Sequence, residues 1–193
     1  FAIFNIGLAK QKLNDHKSAI DEFSKGLEKD PLNVNMLNNR GISKEKLKDF
    51  KGAIEDYSRI LEIEPNFIVA FNNRGQVKQK VNDHKGAIDD FSKGLEILPV
   101  DINLLNNRGC AKHFLKDYEG AIKDYSKGLE INPDNLNLLY NRGILLEFQK
   151  KVSLAMIDFE KVYKINPDFE NISEKIDIKK VNNKKIDSPS NVF

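Results

Sequence analysis

Residues 72–99, NNRGQVKQKVNDHKGAIDDFSKGLEILP, decide the fold, because the chain writes this stretch out five times. Gly7, Gly41, Gly75, Gly109 and Gly143 stand 34 residues apart, with no insertion or deletion between them. Ala19, Ala53, Ala87, Ala121 and Ala155 keep the same interval. So do the rings Phe23, Tyr57, Phe91, Tyr125 and Phe159 and the prolines Pro31, Pro65, Pro99, Pro133 and Pro167. All eleven glycines fall at three places in the unit. A period of this length marks supersecondary units that bury their apolar faces only by stacking on their neighbours.

Within the third unit, Phe71, Arg74, Gly75, Lys78 and Val81 recur at helical steps and predict a first helix, A. Ile88, Phe91, Leu95 and Ile97 face inward on a second helix, B, whose DD..SK.. residues form an outer face of mixed charge. Asn82 or Asp83 caps helix B, and Pro99 ends it. A glycine inside a helix costs about 1 kcal/mol against alanine, so Gly75 predicts a close approach of helix B at Ala87 and Phe91. The same pattern predicts helices at 1–13, 17–29, 35–47, 51–63, 69–81, 85–97, 103–115, 119–131, 137–149 and 153–165. Past Pro167 the stripe Phe169, Ile172, Ile176 predicts a capping helix at 169–181, and the polar run 182–193 a disordered tail.

This order of Gly, Ala, aromatic and Pro in a 34-residue helix-turn-helix unit resembles the tetratricopeptide repeat (TPR). The resemblance covers about residues 1–168 as five repeats, 1–33, 34–67, 68–101, 102–135 and 136–168. It implies an all-α protein, a right-handed α-solenoid superhelix, working as a protein-protein interaction scaffold.

Lys and Arg number 31 against 29 Asp and Glu, so the net charge of +2 gives no pull toward nucleic acid or an anionic membrane. The lone Cys110 excludes an internal disulfide and every multi-cysteine metal site, which fits a reducing, cytoplasmic compartment. No apolar run reaches the roughly 20 residues of a transmembrane helix. Phe1 falls six residues before Gly7, inside the first predicted helix, so the pattern predicts a chain cut from a longer protein. Further repeats, a targeting segment or a catalytic domain could then lie upstream.

No phosphate loop, His-Glu metal motif or paired nucleophile is present, so neither an enzyme nor a cofactor is expected from these residues. His16 and His84 stand at the start of helix B, where Phe50 and Tyr118 stand in other units, and are expected to pack there. Arg40, Arg74, Arg108 and Arg142 precede their glycines, and Asp56, Asp90, Asp124 and Asp158 precede the helix-B ring. In the first unit both change together, to Ile6 and Glu22. The arginines are therefore expected to bridge to the aspartates between helices A and B, the other reading being that they point into the groove for ligand.

Asn5, Asn39, Asn73, Asn107 and Asn141 stand two residues before every Gly. In superhelical arrays of this family, such as that of the O-linked N-acetylglucosamine transferases, an asparagine at this place forms a ladder that binds the backbone of an extended peptide. A carboxamide offers both donors and an acceptor and so suits a peptide unit of any sequence. The plain reading is that these asparagines only satisfy local backbone groups. Specificity is expected from the same face, one, four and five residues after each Gly. Lys12, Ile42, Glu45, Lys46, Gln76, Gln79 and Lys80 make the first units polar and basic. Cys110, His113, Phe114, Ile144, Glu147 and Phe148, with Tyr140 from the preceding turn, make the last ones aromatic.

Binding of the Hsp70 or Hsp90 C-terminal carboxylate is disfavoured. Where chaperone-binding arrays place Lys three before and Asn one after the Gly, this chain has Phe4, Asn38, Asn72, Asn106, Tyr140 and Leu8, Ile42, Gln76, Cys110, Ile144. The two functions expected are a scaffold holding an extended segment of a partner protein, or the targeting module of a larger enzyme such as a glycosyltransferase, kinase or phosphatase.

Overall fold

The computed structural model describes residues 2–176, and no strand occurs among them. The helices are α1 (Ala2–Lys12), α2 (His16–Lys29), α3 (Val34–Lys46), α4 (Phe50–Ile63), α5 (Ile68–Lys80), α6 (His84–Ile97), α7 (Ile102–Phe114), α8 (Tyr118–Ile131), α9 (Leu136–Phe148) and α10 (Val152–Ile165). Odd-numbered helices are the A helices and even-numbered the B helices, and each boundary lies within one residue of the sequence expectation. The protein is an all-α solenoid of tandem helix-turn-helix units.

Each A-to-B turn reverses the chain in the same way. Asn14, Lys48, Asn82, Lys116 and Lys150 take left-handed backbone angles, with φ between 59° and 63°. The chain so reversed aims the next residue at the start of helix B. Asp15, Asp49, Asp83 and Asp117 there accept from the amides of Ser18, Gly52, Gly86 and Gly120. Of the two candidate caps in the third unit, Asp83 therefore caps and Asn82 turns the chain. The glycine at 86 has a local reason, since an added Cβ would collide with Asp83 Oδ2.

The described residues up to Leu115 form one compact unit and those from Lys116 a second. In the first, α1 to α7 pack each on the next. Its centre is Phe23, Tyr57 and Phe91, all fully buried. Burying one such ring contributes about 1.5–3 kcal/mol. A Cβ on Gly75 would lie 2.5 Å from Phe91 Cε1, so the glycine does serve the close approach of the two helices. In the second unit Phe159, Leu138, Leu145 and Val162 are buried.

Three expectations about faces are corrected. Val81 is 42% and Ile97 38% exposed. The first is the residue at which α5 has already ended and the second closes α6, so neither reaches the core. Helix α5 instead buries Ala70, Phe71, Gly75 and Val77, because α4 flanks it on one side and α6 on the other. Asp90, placed with the outer charged face, is only 1% exposed, which leaves Asp89 and Lys93 outside. At the C-terminal end the helix begins at 172 rather than 169, after a turn in which Phe169 N–H donates to Asn166 C=O. Ile172 and Ile176 are buried there. Residues 177–181 of the expected cap, and the tail 182–193, lie outside the described residues.

Candidate peptide-binding face

The asparagines two before the Gly lie midway along helix A. Asn39, Asn73 and Asn107 are half-buried on α3, α5 and α7 of the first unit, Asn5 is exposed on α1, and Asn141 holds the same place on α9 in the second. The donors of Asn39, Asn73 and Asn107 are in use. Asn73 Nδ2 donates to Asn38 Oδ1 at 3.1 Å and Asn107 Nδ2 to Asn72 Oδ1 at 2.9 Å, so each amide reaches the preceding repeat. Asn39 Nδ2 donates within its own helix to Asn35 C=O at 2.8 Å. Asn38 and Asn72 thus join the row, which the spacing of Asn38, Asn72 and Asn106 already announced.

The residue four after Gly7, Gly41 and Gly75 ties neighbouring A helices together. Gln11 Nε2 donates to Asn39 C=O and to Ser43 Oγ, and Gln79 Nε2 to Asn107 C=O. Glu45 takes Lys80 Nζ at 2.5 Å. Lys80, expected as a groove cation, therefore already has a carboxylate partner, while Lys46 is exposed on α3. In the second unit Glu147 receives Lys175 Nζ at 2.6 Å.

The arginines sit beneath this surface and bridge as expected. Arg74 Nε and Nη2 donate to Asp90 at 2.9 and 2.6 Å, and the same fork joins Arg40 to Asp56 and Arg142 to Asp158. Lys44 and Lys78 add a second cation, each 2.8 Å from its aspartate. Sequence reasoning missed the third member. Arg40, Arg74, Arg108 and Arg142 each donate through Nη1 to a serine of the preceding helix B: Ser24, Ser58, Ser92 and Ser126. The 34-residue spacing of those serines was the signal for it. In the first repeat, where Ile6 replaces the arginine, Glu22 pairs with Lys10 and Lys25, and their hydrogen bonds hold its carboxyl below the usual range.

The aromatic residues occupy two kinds of place. Phe114 is 67% exposed and lies flat on His84, with centroids 4.6 Å apart and planes at 1°. The exposed His113 ring lies 6.0 Å from it. In the second unit Phe148 is 65% exposed, with its centroid 4.8 Å from that of Tyr118. Phe114 follows Asn107 by seven residues, so it stands on the same face of α7, about 10 Å further along. Tyr140 differs: its ring lies against Phe159 and Phe169 and is half-buried. Burial first, then the nearby Glu170 carboxylate, raises its phenol above the usual value. Its ring therefore spends much of its surface on holding the chain after α10.

His84 and His16 pack at helix starts, as expected, each with a buried Nδ1. Among the described residues no three His, Cys, Asp or Glu side chains gather as a metal site, and no helix is long and apolar enough to cross a membrane.

Solved structures with the same arrangement are similar in fold at low identity. MamA of Desulfovibrio magneticus RS-1 superposes with a TM-score of 0.81 at 18% identity, over 88% of this chain and 96% of that one. A further MamA crystal structure gives 0.78 at 22%, over 82% and 93%. YrrB, described as a TPR protein with an unusual peptide-binding site, gives 0.76 at 18%, over 91% and 90%. No sequence among curated proteins matches the chain. The tetratricopeptide repeat models match residues 2–31, 34–67, 102–135 and 136–169. With the matched segments spanning more than half its length and its repeat geometry shared by these structures, the chain belongs to the tetratricopeptide repeat family.

Proposed function

We propose that this protein-interaction scaffold binds an extended peptide along the A helices of its first unit, with Asn39, Asn73 and Asn107 holding the peptide backbone and Phe114 anchoring an apolar side chain. The observation that carries the reading is the cross-repeat amide row, in which Asn73 and Asn107 are held on a partly open face by bonds to Asn38 and Asn72. A carboxamide whose donor is engaged by a neighbour keeps acceptor capacity for a peptide N–H. In the second unit Asn141, Phe148 and the uncovered part of Tyr140 offer the same chemistry. Lys46 favours an acidic side chain in the ligand, whereas Lys80 must first leave Glu45.

An aromatic anchor whose surround is dried by the ligand is worth about 2 kcal/mol or more, against about 1 for a hydrogen bond at a wet rim. The asparagines then set the path of the peptide and the phenylalanine most of its affinity. The test is selection of binders from a random peptide library, followed by calorimetry on the best one. Phe114→Ala should weaken it at least about 30-fold, Asn107→Ala less, and Lys93→Ala, on the outer face of α6, not at all. Loss of binding in Lys93→Ala with both other variants unaffected would place the binding surface on the B helices.

A further inference from the structure

In the first unit consecutive helices are joined by turns of three or four residues and pack side by side, so they run antiparallel. All A-to-B turns therefore lie along one edge and all B-to-A turns along the opposite edge, about 20 Å away for helices of this length. The two edges carry opposite charge. Residues 12–17, 46–51 and 80–85 hold seven lysines, all exposed, of which Lys80 is paired with Glu45, against three aspartates, and those aspartates cap helices. Residues 28–33, 62–67 and 96–101 hold six carboxylates against one lysine. Helix dipoles do not blur the difference, since each of these six turns joins one helix end to one helix start.

Both edges are also apolar at their tips. Leu13, Leu47, Val81 and Leu115 occupy one place in four successive repeats and are 79%, 50%, 42% and 41% exposed. On the acidic edge Leu32, Leu98 and Val100 are 65%, 38% and 57% exposed. A single exposed leucine means nothing. Four at one register on the lysine-rich edge, with exposed apolar residues among carboxylates on the opposite edge, have a natural complement on the same molecule.

We propose that the basic edge of one copy of this chain docks on the acidic edge of a second copy. Each edge carries one turn per repeat, so lysine turns and carboxylate turns share one pitch and can meet in register along the whole unit. Because the two patches differ, the contact is heterologous: every added copy leaves one edge open, and assembly continues beyond the dimer. Exposed ion pairs are individually weak and are screened by salt, so the association is weak, concentration-dependent and salt-sensitive. This surface shares only Lys46 and Lys80 with the proposed peptide-binding face, and the variants below leave both lysines in place, so the two proposals are tested independently.

The experiment is sedimentation velocity of the full chain. Its average mass should rise with concentration in about 20 mM salt and the apparent dissociation constant should weaken about tenfold or more by about 500 mM. Two triple variants reverse one edge each: Lys17→Glu, Lys51→Glu, Lys85→Glu at the starts of helices B, and Glu28→Lys, Glu62→Lys, Glu96→Lys at their ends. Both place charges that suit the helix dipole, so folding is preserved, and circular dichroism checks it. Each variant alone should stay monomeric, and an equimolar mixture should associate again. A wild-type protein that stays monomeric at low salt, or association that survives either reversal, or a mixture that stays monomeric, overturns the proposal. Monomeric wild-type protein that binds vesicles containing phosphatidylserine would overturn it in favour of a lipid surface on the basic edge.

Discussion

Lys48 holds a backbone angle, φ 63°, that the first and third repeats give to Asn14 and Asn82. Left-handed geometry costs an ordinary L-residue about 1–2 kcal/mol, and asparagine less, because its short side chain bonds locally. Lys48→Asn is therefore expected to raise stability by about 0.5 kcal/mol, measured by urea denaturation. Tyr57 is a second case. Its ring is fully buried and its hydroxyl meets no hydrogen-bond partner, whereas the same place holds Phe23, Phe91 and Phe159 in other repeats. Tyr57→Phe should stabilise by about 1 kcal/mol, the order of an unmet buried polar group. Burial first, then the charges of Glu45 and Asp56, pushes the Tyr57 phenol well above its usual value. In the unfolded chain it ionises near pH 10, so above about pH 10 the native state binds more protons and stability falls as pH rises. Below that pH Tyr57 adds no slope. Tyr57→Phe should remove its share of the alkaline loss in urea midpoints compared across that range.

Helix packing turns on two devices that repeat with the unit. Gly75 faces Phe91 so closely that Gly75→Ala must push the ring aside, at an expected cost of about 1–3 kcal/mol. The other is the charged cluster between helices. Asp90 accepts from Arg74 and Lys78 together and is almost wholly buried, while Arg74 also donates to Ser58 of the preceding repeat. Removing one partner of a buried pair costs about 3–5 kcal/mol, more than removing both. Asp90→Ala, which strands two cations, should exceed Arg74→Ala, which leaves Lys78 on the aspartate, and both should far exceed the exposed Lys93→Ala. Thermal melts of the three variants decide the order.

For the molecule as a whole, stability is a sum over repeats and the interfaces between neighbours. Protection from hydrogen exchange should accordingly be greatest in α4 to α6, which have at least two helices of the first unit, a full repeat, before them, and least in α1, which packs on one neighbour in sequence only. Mass spectrometry of exchange resolves this gradient, and uniform protection along the chain would show the array unfolding as one body. A bound peptide on the first unit should slow exchange most in α3, α5 and α7, the helices that carry the asparagines.

The helices and their order were legible in the sequence, because a 34-residue repeat averages local noise, and the cap of helix B in the third unit was narrowed to Asn82 or Asp83, because capping depends on side chains three residues away. The Arg74–Asp90 bridge was legible too, since Ile6 and Glu22 depart together. The fate of the expected binding residues was not. Lys80 is engaged by Glu45, Tyr140 by Phe159 and Phe169, and Asn73 by Asn38, all partners at least 19 residues distant in the chain. Periodicity assigns a residue to a face of its own helix. Which side chain of the next repeat reaches that face first depends on how the helices stack, and that is settled only when the long-range contacts form.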